Sequence, residues 1–335
     1  MLKESNRKNP VIFSLNLTII DTMCAFRQKI IIDTDCGSDD AMAIAMALND
    51  ERYEVMMITT VSGNVRVDQA TYNTLTTIRM SDSYHPPVYV GRNDMLKRKW
   101  EGSDDTHGMD GMGDEDLVDY SLKYDEGDAV EKIIEALNDN PDKTIDIITL
   151  GPLTNIATII DKDPEVLKKA RRIIMMATPG TASGNVTANA EFNVWQDGEA
   201  FDRVINAGLD NLTAVGWSAC LDEAMLDEKE IEIIKRSNEL GHFLIRANKT
   251  LVGLNETRFG YKCLDMADPA AMAAALLPEC IKDSRPCHIQ VNLSDDEYYG
   301  EVYIDYVKKP NVTLVTALKD DIYTGYIMST LTKSR

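Results

Sequence analysis

The sequence has no excess of basic residues. Its 55 acidic side chains against 35 Lys and Arg give a net charge of −20. A nucleic acid or an anionic membrane surface needs cationic side chains as partners, so neither is an expected ligand. Most of an acidic excess of this kind covers a solvated surface. Some of the carboxylates can instead converge on a metal ion, and only their local pattern distinguishes the two cases.

Long apolar runs and clustered cysteines are also missing. No run reaches the roughly 18 residues of a membrane span, and the apolar stretch 11–20 contains Asn16 and lacks a small-residue cleavage site after it. The six cysteines form no CxxC pair and no zinc-like spacing, which favours reduced thiols in a cytoplasmic protein. Without a repeat or a Gly/Ser linker, we expect one domain over residues 28–335, preceded by an extension, 1–27, to which no role is assigned.

Short β-branched or apolar runs alternate with helical stretches from Lys29 onward. Strands are predicted at 29–33, 54–61, 87–91, 144–150, 172–177 and 212–216. Helices are predicted at 41–48, 69–80, 129–137, 153–160, 198–207, 228–252 and 268–277, with β-rich segments in 289–316 and a final helix after them. The alternation predicts an α/β fold, a Rossmann-like open and mostly parallel sheet with helices on both faces. The active site should lie at the C-terminal ends of the strands, so its residues should directly follow strands.

A dense acidic run ends the first predicted strand and begins the first predicted helix. It reads Asp33-Thr34-Asp35-Cys36-Gly37-Ser38-Asp39-Asp40 and holds four carboxylates. Like charges this close repel one another, and a hard cation such as Ca²⁺ or Mg²⁺ removes that cost. One aspartate could simply cap the helix, but capping does not account for Asp33 and Asp35 as well. The run therefore predicts a metal site. Cys36 is interpreted as a turn residue, because the sequence offers it no Cys–His arrangement.

This run resembles the N-terminal signature of the inosine–uridine-preferring nucleoside hydrolase family, usually Asp-Thr-Asp-Pro-Gly-x-Asp-Asp-Ala, with Cys36 in place of the proline. Similar segments follow in the family's order: TVSGNV at 60–65, THGMDG at 106–111, LGPLTNIA at 150–157, GN at 184–185, AEFNV at 190–194 and DP at 268–269. Each alone is an ordinary turn, loop or cap. Together the segments extend over nearly the whole chain after residue 28. Taken as a set, they make the chain similar to this family.

The resemblance implies a site and a calcium cofactor. The implied metal ligands are Asp35, Asp40, Asp268 and the main-chain carbonyl of Leu150, with Asp33 supporting them from behind. The implied ribose-binding residues are Asp39, Asn185, Glu191 and Asn193. The implied catalytic residues are Asp35, Asn64 and His107, and Asp35 would take a proton from the attacking water.

The reaction implied by the resemblance is a Ca²⁺-dependent hydrolysis of the N-glycosidic bond of ribonucleosides. It gives ribose and free base through an oxocarbenium-like transition state. The implied partner is a small-molecule ribonucleoside, and the implied setting is nucleoside salvage or catabolism. The resemblance also implies a homo-oligomer, either a dimer or a tetramer.

One position departs from the family pattern. Several members have a His before the Asp-Pro that helps to protonate the departing base, whereas this chain has Ala267. Three explanations stay open. The first is an acid from another position, for which the candidates are His107, Tyr261 and Asp265. The second is an aromatic ring that stacks on the base, for which the candidates are Trp195, Trp217 and Phe259. The third is an N-ribosyl substrate with a better leaving group.

Two other functions compete with the hydrolase. A haloacid-dehalogenase-like, Mg²⁺-dependent phosphatase also has Asp-x-Asp after its first strand, with the first Asp as the nucleophile. It leaves the adjacent Asp39-Asp40 pair and the Asn185, Glu191 and Asn193 stretch unexplained. A non-catalytic ribonucleoside-binding module would keep the pocket and lose turnover through changes such as Ala267. The four intact carboxylates of the acidic run count against it.

Overall fold

The computed structural model describes residues 27–294 and 297–333. Residues 1–26 of the predicted N-terminal extension therefore lie outside the described residues. The strands of the central sheet are β1 Gln28–Thr34, β2 Tyr53–Thr60, β3 Val88–Val90, β4 Ile145–Thr149, β5 Arg172–Met176, β6 Leu212–Val215, β9 Ile281–Val291, β10 Val302–Asp305 and β11 Val312–Leu318. Two short strands, β7 Leu226–Asp227 and β8 Cys263–Leu264, form a separate antiparallel pair.

The α-helices begin with α1 Ser38–Asn49, α2 Val67–Ser81, α3 Asp104–His107, α4 Ala129–Asp139 and α5 Thr154–Lys162. They continue with α6 Phe192–Gln196, α7 Gly198–Ile205, α8 Glu228–Ser237, α9 Glu239–Ala247, α10 Lys249–Phe259, α11 Ala267–Leu276 and α12 Asp320–Leu331. Within residues 27–294 and 297–333, none of these helices combines the length and apolar character that a bilayer crossing requires.

The central sheet has nine strands in the order β10-β9-β11-β6-β5-β4-β1-β2-β3. The strands from β11 to β3 pair in parallel. At the other edge β9 is antiparallel to both of its neighbours, β11 and β10. The predicted α/β class with an open, mostly parallel sheet is confirmed.

The sequence of β1 explains why helices cover both faces of the sheet. Ile30, Ile31 and Ile32 are all fully buried. Because successive side chains of a strand point to opposite faces, Ile30 and Ile32 belong to one apolar core and Ile31 to the other. On the face of Ile30 and Ile32 lie α1 and α11, whose many small Ala side chains allow close approach to the sheet.

Two segments differ from the predicted elements. The segment between the predicted strand 87–91 and the predicted helix 129–137, for which no helix was predicted, contains the short helix α3. The predicted helical region 228–252 is divided into α8, α9 and α10, which extends to Phe259. The division after α8 occurs at Asn238, whose side chain accepts a hydrogen bond from the main-chain N–H of Gly241 and so caps α9.

Candidate active site

Asp35 lies in the loop between β1 and α1 and is fully buried. Its Oδ2 atom accepts a hydrogen bond of 2.6 Å from the main-chain N–H of Asn64, whereas Oδ1 has no hydrogen-bond partner. Gly63 and Gly151, from the loops after β2 and β4, pack against this carboxylate. A Cβ atom on Gly63 would lie 2.0 Å from Asp35 Oδ2, and one on Gly151 would lie 2.7 Å from Oδ1. Glycine is thus required at both positions if Asp35 is to keep its place.

Asp40 lies in the first turn of α1, where the helix dipole favours negative charge. Its carboxylate accepts hydrogen bonds from the main-chain N–H of Gly37 at 2.8 Å and from the Thr34 hydroxyl at 2.5 Å. Burial, followed by the charge of Asp39, raises the pKa of Asp40 to about 7 despite these bonds. Asp40 is therefore held firmly in place, while its ionised form is electrostatically costly.

Three carboxylates form the acidic cluster: Asp39, Asp40 and Asp268 each offer an oxygen atom within 4.8 Å of the others. Asp268 comes from the first turn of α11 and is brought to α1 by the fold. Burial and the charges of Asp39 and Asp40 raise the pKa of Asp268 well above its usual range. The charge of Asp35 raises it further, although Asp35 is outside the group of three.

The acidic cluster fits a hard divalent cation. All three of its members are buried, and Asp39 Oδ1 and the neighbouring Asp35 Oδ1 have no hydrogen-bond partner. Buried carboxylate oxygens without partners are costly, and a cation that prefers oxygen ligands compensates for both their desolvation and their repulsion. The sequence placed Asp39 at the sugar; the structure places its carboxylate both in the cluster and at the surface of the adjacent cavity.

The cavity above the cluster has a volume of about 440 Å³. Predicted site residues that line it are Asp39, Asn64, His107, Leu150, Asn185, Glu191, Asn193 and Asp268. Asp33, Asp35 and Asp40 are fully buried beneath this lining. Lining residues follow the carboxyl ends of β1, β2, β4, β5 and β6, where a parallel sheet is expected to bind its ligand.

Asp33 is part of β1 and does not reach the cavity. Its Oδ1 atom accepts hydrogen bonds from the Thr59 hydroxyl at 2.5 Å and from the Asn155 amide at 2.7 Å. Burial nevertheless raises the pKa of Asp33 to about 6. The contacts tie β1 to β2 and to the start of α5, beneath the loop that carries Asp35.

Glu191 and Asn193 are organised by the short helix α6. Glu191 caps this helix, and its carboxylate accepts hydrogen bonds from the main-chain N–H groups of Asn193, Val194 and Thr178. Burial outweighs these bonds and raises the pKa of Glu191 to about 7. The Asn193 amide donates to the Leu150 carbonyl at 2.6 Å. Asn185 is linked to the same helix, since its Oδ1 accepts from the main-chain N–H of Phe192 at 2.9 Å.

His107 and Asn64 line another wall of the cavity. His107 Nδ1 lies 2.8 Å from the Ser38 hydroxyl and 3.8 Å from Asp39 Oδ1. Burial lowers the pKa of His107, which favours the neutral ring. Asn64 donates to Asp40 Oδ2 at 3.2 Å, and its Oδ1 accepts from the Ser103 hydroxyl at 2.7 Å. The two side chains are thus oriented by fixed neighbours.

Among the candidates for the leaving-group side, His107, Asp265, Trp195 and Trp217 line the cavity. Tyr261 and Phe259 are not part of its lining, and Tyr261 is 52% exposed. Ala267 lines the cavity beside Asp268. The sequence reading missed Leu251, Leu254 and Arg258, which α10 contributes to the lining. Their spacing of three and four residues places them on one helix face, and this is the signal that could have found them.

The chain is similar to several known proteins. The family model described as inosine-uridine preferring nucleoside hydrolase matches residues 30–324. An uncharacterized protein of Schizosaccharomyces pombe is 41% identical over 181 residues, which are 54% of this chain and 58% of that protein. A probable uridine nucleosidase 2 of Arabidopsis thaliana is 33% identical over 254 residues, 75% of this chain and 78% of that protein. The solved structure of a plant nucleoside hydrolase, PpNRh1, superimposes with a TM-score of 0.85 at 28% identity, covering 92% of this chain and all of that one.

Proposed function

Because the chain belongs to the inosine-uridine preferring nucleoside hydrolase family of N-glycosyl hydrolases, we propose that it hydrolyses ribonucleosides to ribose and free base with the aid of a bound Ca²⁺. One observation carries this proposal. In the acidic cluster, Asp39 and Asp268 line the cavity and Asp40 lies just beneath them. Asn185, Glu191 and Asn193 line the same cavity. An oxygen-only cation site beside amide and carboxylate groups suits a ribose with its several hydroxyls.

Asp35, Asp40, Asp268 and the Leu150 carbonyl would hold the cation. When bound, Ca²⁺ supplies a positive charge that lowers the pKa of water and attracts hydroxyl oxygens. Asp35 has an unpartnered oxygen, Oδ1, and a second oxygen fixed by the Asn64 N–H group. Asp35 therefore takes the proton of the attacking water as the water oxygen bonds to C1′ of the ribose.

Asp39, Asn185, Glu191 and Asn193 bind the ribose hydroxyls. Asp39 Oδ1 has no hydrogen-bond partner and Asp39 lines the cavity, so it is available to accept from a hydroxyl. Burial of the sugar among these groups excludes bulk water and strengthens their interaction with the positive charge that develops on the ribosyl ring.

Release of base from uridine, cytidine, inosine, adenosine and nicotinamide riboside tests the proposal. We expect ribose and free base in equal amounts, loss of activity on chelation by EGTA, and recovery on addition of Ca²⁺. Asp268→Asn should require more Ca²⁺ for activity, whereas Asp210→Asn, a change at an exposed aspartate, should not.

Two results would contradict the proposal. Mg²⁺-dependent hydrolysis of an aryl phosphate, with no release of base from any of the five nucleosides, would favour the phosphatase. Saturable binding of a nucleoside with no product would favour the binding module.

A further inference from the structure

The cavity is strongly acidic and contains one fixed positive charge. Among its lining residues, which all belong to the described part of the chain, Arg258 is the one lysine or arginine, and a guanidinium is permanently charged. The acidic lining residues are Asp39, Glu101, Asp105, Glu191, Asp265 and Asp268. A guanidinium in such a cavity is the group that would meet negative charge on a bound substrate.

The contacts of Arg258 leave most of its donors unused. Nη1 donates to Asp265 Oδ2 over 3.5 Å, and within residues 27–294 and 297–333 no other hydrogen bond to the guanidinium is present. Asp265 already accepts a hydrogen bond of 2.7 Å from Asn255. The guanidinium also lies 5.9 Å from the centre of the Trp217 ring, which lines the same cavity.

A structural ion pair in the same protein looks different. Arg171 and Asp146 form two short hydrogen bonds, of 2.7 and 2.5 Å, in the bidentate arrangement that a guanidinium adopts when it neutralises a carboxylate. The single long contact of Arg258 with Asp265 does not have this geometry. Neutralisation of Asp265 alone therefore does not explain why an arginine lies here.

We propose, on the basis of the function proposed above, that Arg258 binds the departing base and stabilises its negative charge. It would thereby replace the acid that is absent from this chain because position 267 is an alanine. The N-glycosidic bond breaks with both electrons going to the base nitrogen, while the water oxygen forms its bond to C1′ and its proton goes to Asp35. The base leaves as an anion and takes a proton from solvent afterwards. A uracil anion spreads its charge onto its carbonyl oxygens, and guanidinium N–H groups donate to those oxygens.

The assignment also predicts a class of substrate. A guanidinium only donates hydrogen bonds, so it suits bases whose anion carries charge on a carbonyl oxygen, such as uracil and hypoxanthine. Adenine offers an amino group instead of a carbonyl oxygen. Uridine and inosine should therefore depend on Arg258, and adenosine should depend on it much less.

The test compares two ribosides with different leaving groups in the full-length protein with Ca²⁺ present. From uridine the uracil leaves as a basic anion, whereas from 4-nitrophenyl riboside the 4-nitrophenolate leaves as a weakly basic anion that needs no stabilisation. We expect Arg258→Met to lower kcat/KM for uridine about 100-fold and to leave the nitrophenyl riboside unchanged. Arg258→Lys should restore part of the uridine activity. Arg236→Met, which removes an exposed arginine paired with Glu232 on α8, is the matched control and should change neither substrate.

Several outcomes would overturn the assignment. An equal loss on both ribosides, or wild-type activity of Arg258→Met on uridine, would show that the guanidinium does not act on the leaving group. Restoration of uridine hydrolysis by Asp265→Asn in the Arg258→Met background would mean that Arg258 only neutralises Asp265. If the wild-type protein cleaves neither riboside, the proposed function itself fails, and this result differs from all the others.

Discussion

The side-chain amide of Asn193 donates a hydrogen bond of 2.6 Å to the main-chain carbonyl of Leu150. It joins α6, which belongs to the proposed ribose side of the cavity, to the residue after β4 that is proposed to bind the cation. The same amide also contacts the Met176 carbonyl at 3.2 Å. Asn193 thus fixes the direction of a proposed ligand oxygen and also lines the cavity.

Replacement of Asn193 by alanine should weaken both functions. Loss of a residue that orients a metal ligand typically lowers metal affinity 10- to 100-fold, so we expect the Kd for Ca²⁺ to rise by roughly 10-fold. The KM for uridine should rise as well. Calorimetric titration with Ca²⁺ and initial rates measure the two effects. Asn206→Ala, at the exposed end of α7, is the control. An unchanged Ca²⁺ affinity in Asn193→Ala would contradict the proposal that the Leu150 carbonyl, oriented by Asn193, binds the metal.

Replacement of Gly63 by alanine should displace Asp35. The new Cβ would lie 2.0 Å from Asp35 Oδ2 and 2.6 Å from the Cδ atom of Pro152, so the carboxylate must move away from the Asn64 N–H group. A misplacement of about 1 Å in a catalytic group costs on the order of 100-fold in rate, and we expect a loss of this size in kcat.

Gly325→Ala on α12 is the matched control for Gly63→Ala. Nothing lies within 4 Å of a Cβ atom at Gly325. The control should keep full activity and gain up to about 1 kcal/mol in the free energy of unfolding. Wild-type activity in Gly63→Ala, measured on folded protein, would show that Asp35 does not need its observed position.

The raised pKa of Glu191 predicts a pH-dependent stability. Burial raises this pKa from 4.5 to about 7, so between these values the carboxyl is protonated in the folded chain and ionised in the unfolded chain. The contribution of Glu191 to stability is therefore fully present below pH 4.5 and is lost as the pH rises through 7. The shift corresponds to about 3 kcal/mol.

Glu191→Gln removes this titrating group. The difference in free energy of unfolding between wild type and variant should fall by up to about 3 kcal/mol from pH 4.5 to pH 8, measured by urea denaturation at a constant Ca²⁺ concentration. Glu165→Gln, at an exposed glutamate, should give a difference that does not vary in this way. A constant difference for Glu191→Gln would mean that its three N–H donors keep the carboxylate ionised in the folded chain.

The central elements were predictable because they are continuous apolar runs bounded by polar or turn residues. Lys29–Asp33 and the Ala- and Met-rich stretch after it lie within β1 and α1. The helices α3 and α6 contain four and five residues, too few to show a helical period, and α6 forms around the cap that Glu191 provides. The antiparallel β9 begins eight residues before the β-rich region that the sequence indicated, at Ile281.

The site divides in a similar way. The acidic run after β1 was predictable because it is local, and Asp268 was predictable through the resemblance. Whether the Asp39 carboxylate lies in the acidic cluster depends on the direction of its side chain within one helical turn. This direction cannot be predicted from the sequence. Arg258 reaches the cavity only because α10 docks against it. The metal, ribose and catalytic roles, like the cytoplasmic location, the homo-oligomer and the single domain over 28–335, stay predictions.

Asp39 is proposed to bind a ribose hydroxyl, although its carboxylate also belongs to the acidic cluster. A pocket built to hydrogen-bond a hydroxyl rejects the analogue without it by roughly 10⁴-fold, so wild type should strongly prefer uridine over 2′-deoxyuridine. Asp39→Asn should reduce the rate on uridine much more than the rate on 2′-deoxyuridine and so reduce this preference. The Asp39→Asn variant should fold, because the charge of Asp39 opposes ionisation of Asp40 and Asp268, and its removal reduces this repulsion. Ca²⁺ titration distinguishes the alternative: a loss of affinity as large as that of Asp268→Asn, with the preference for uridine unchanged, would make Asp39 a metal ligand instead.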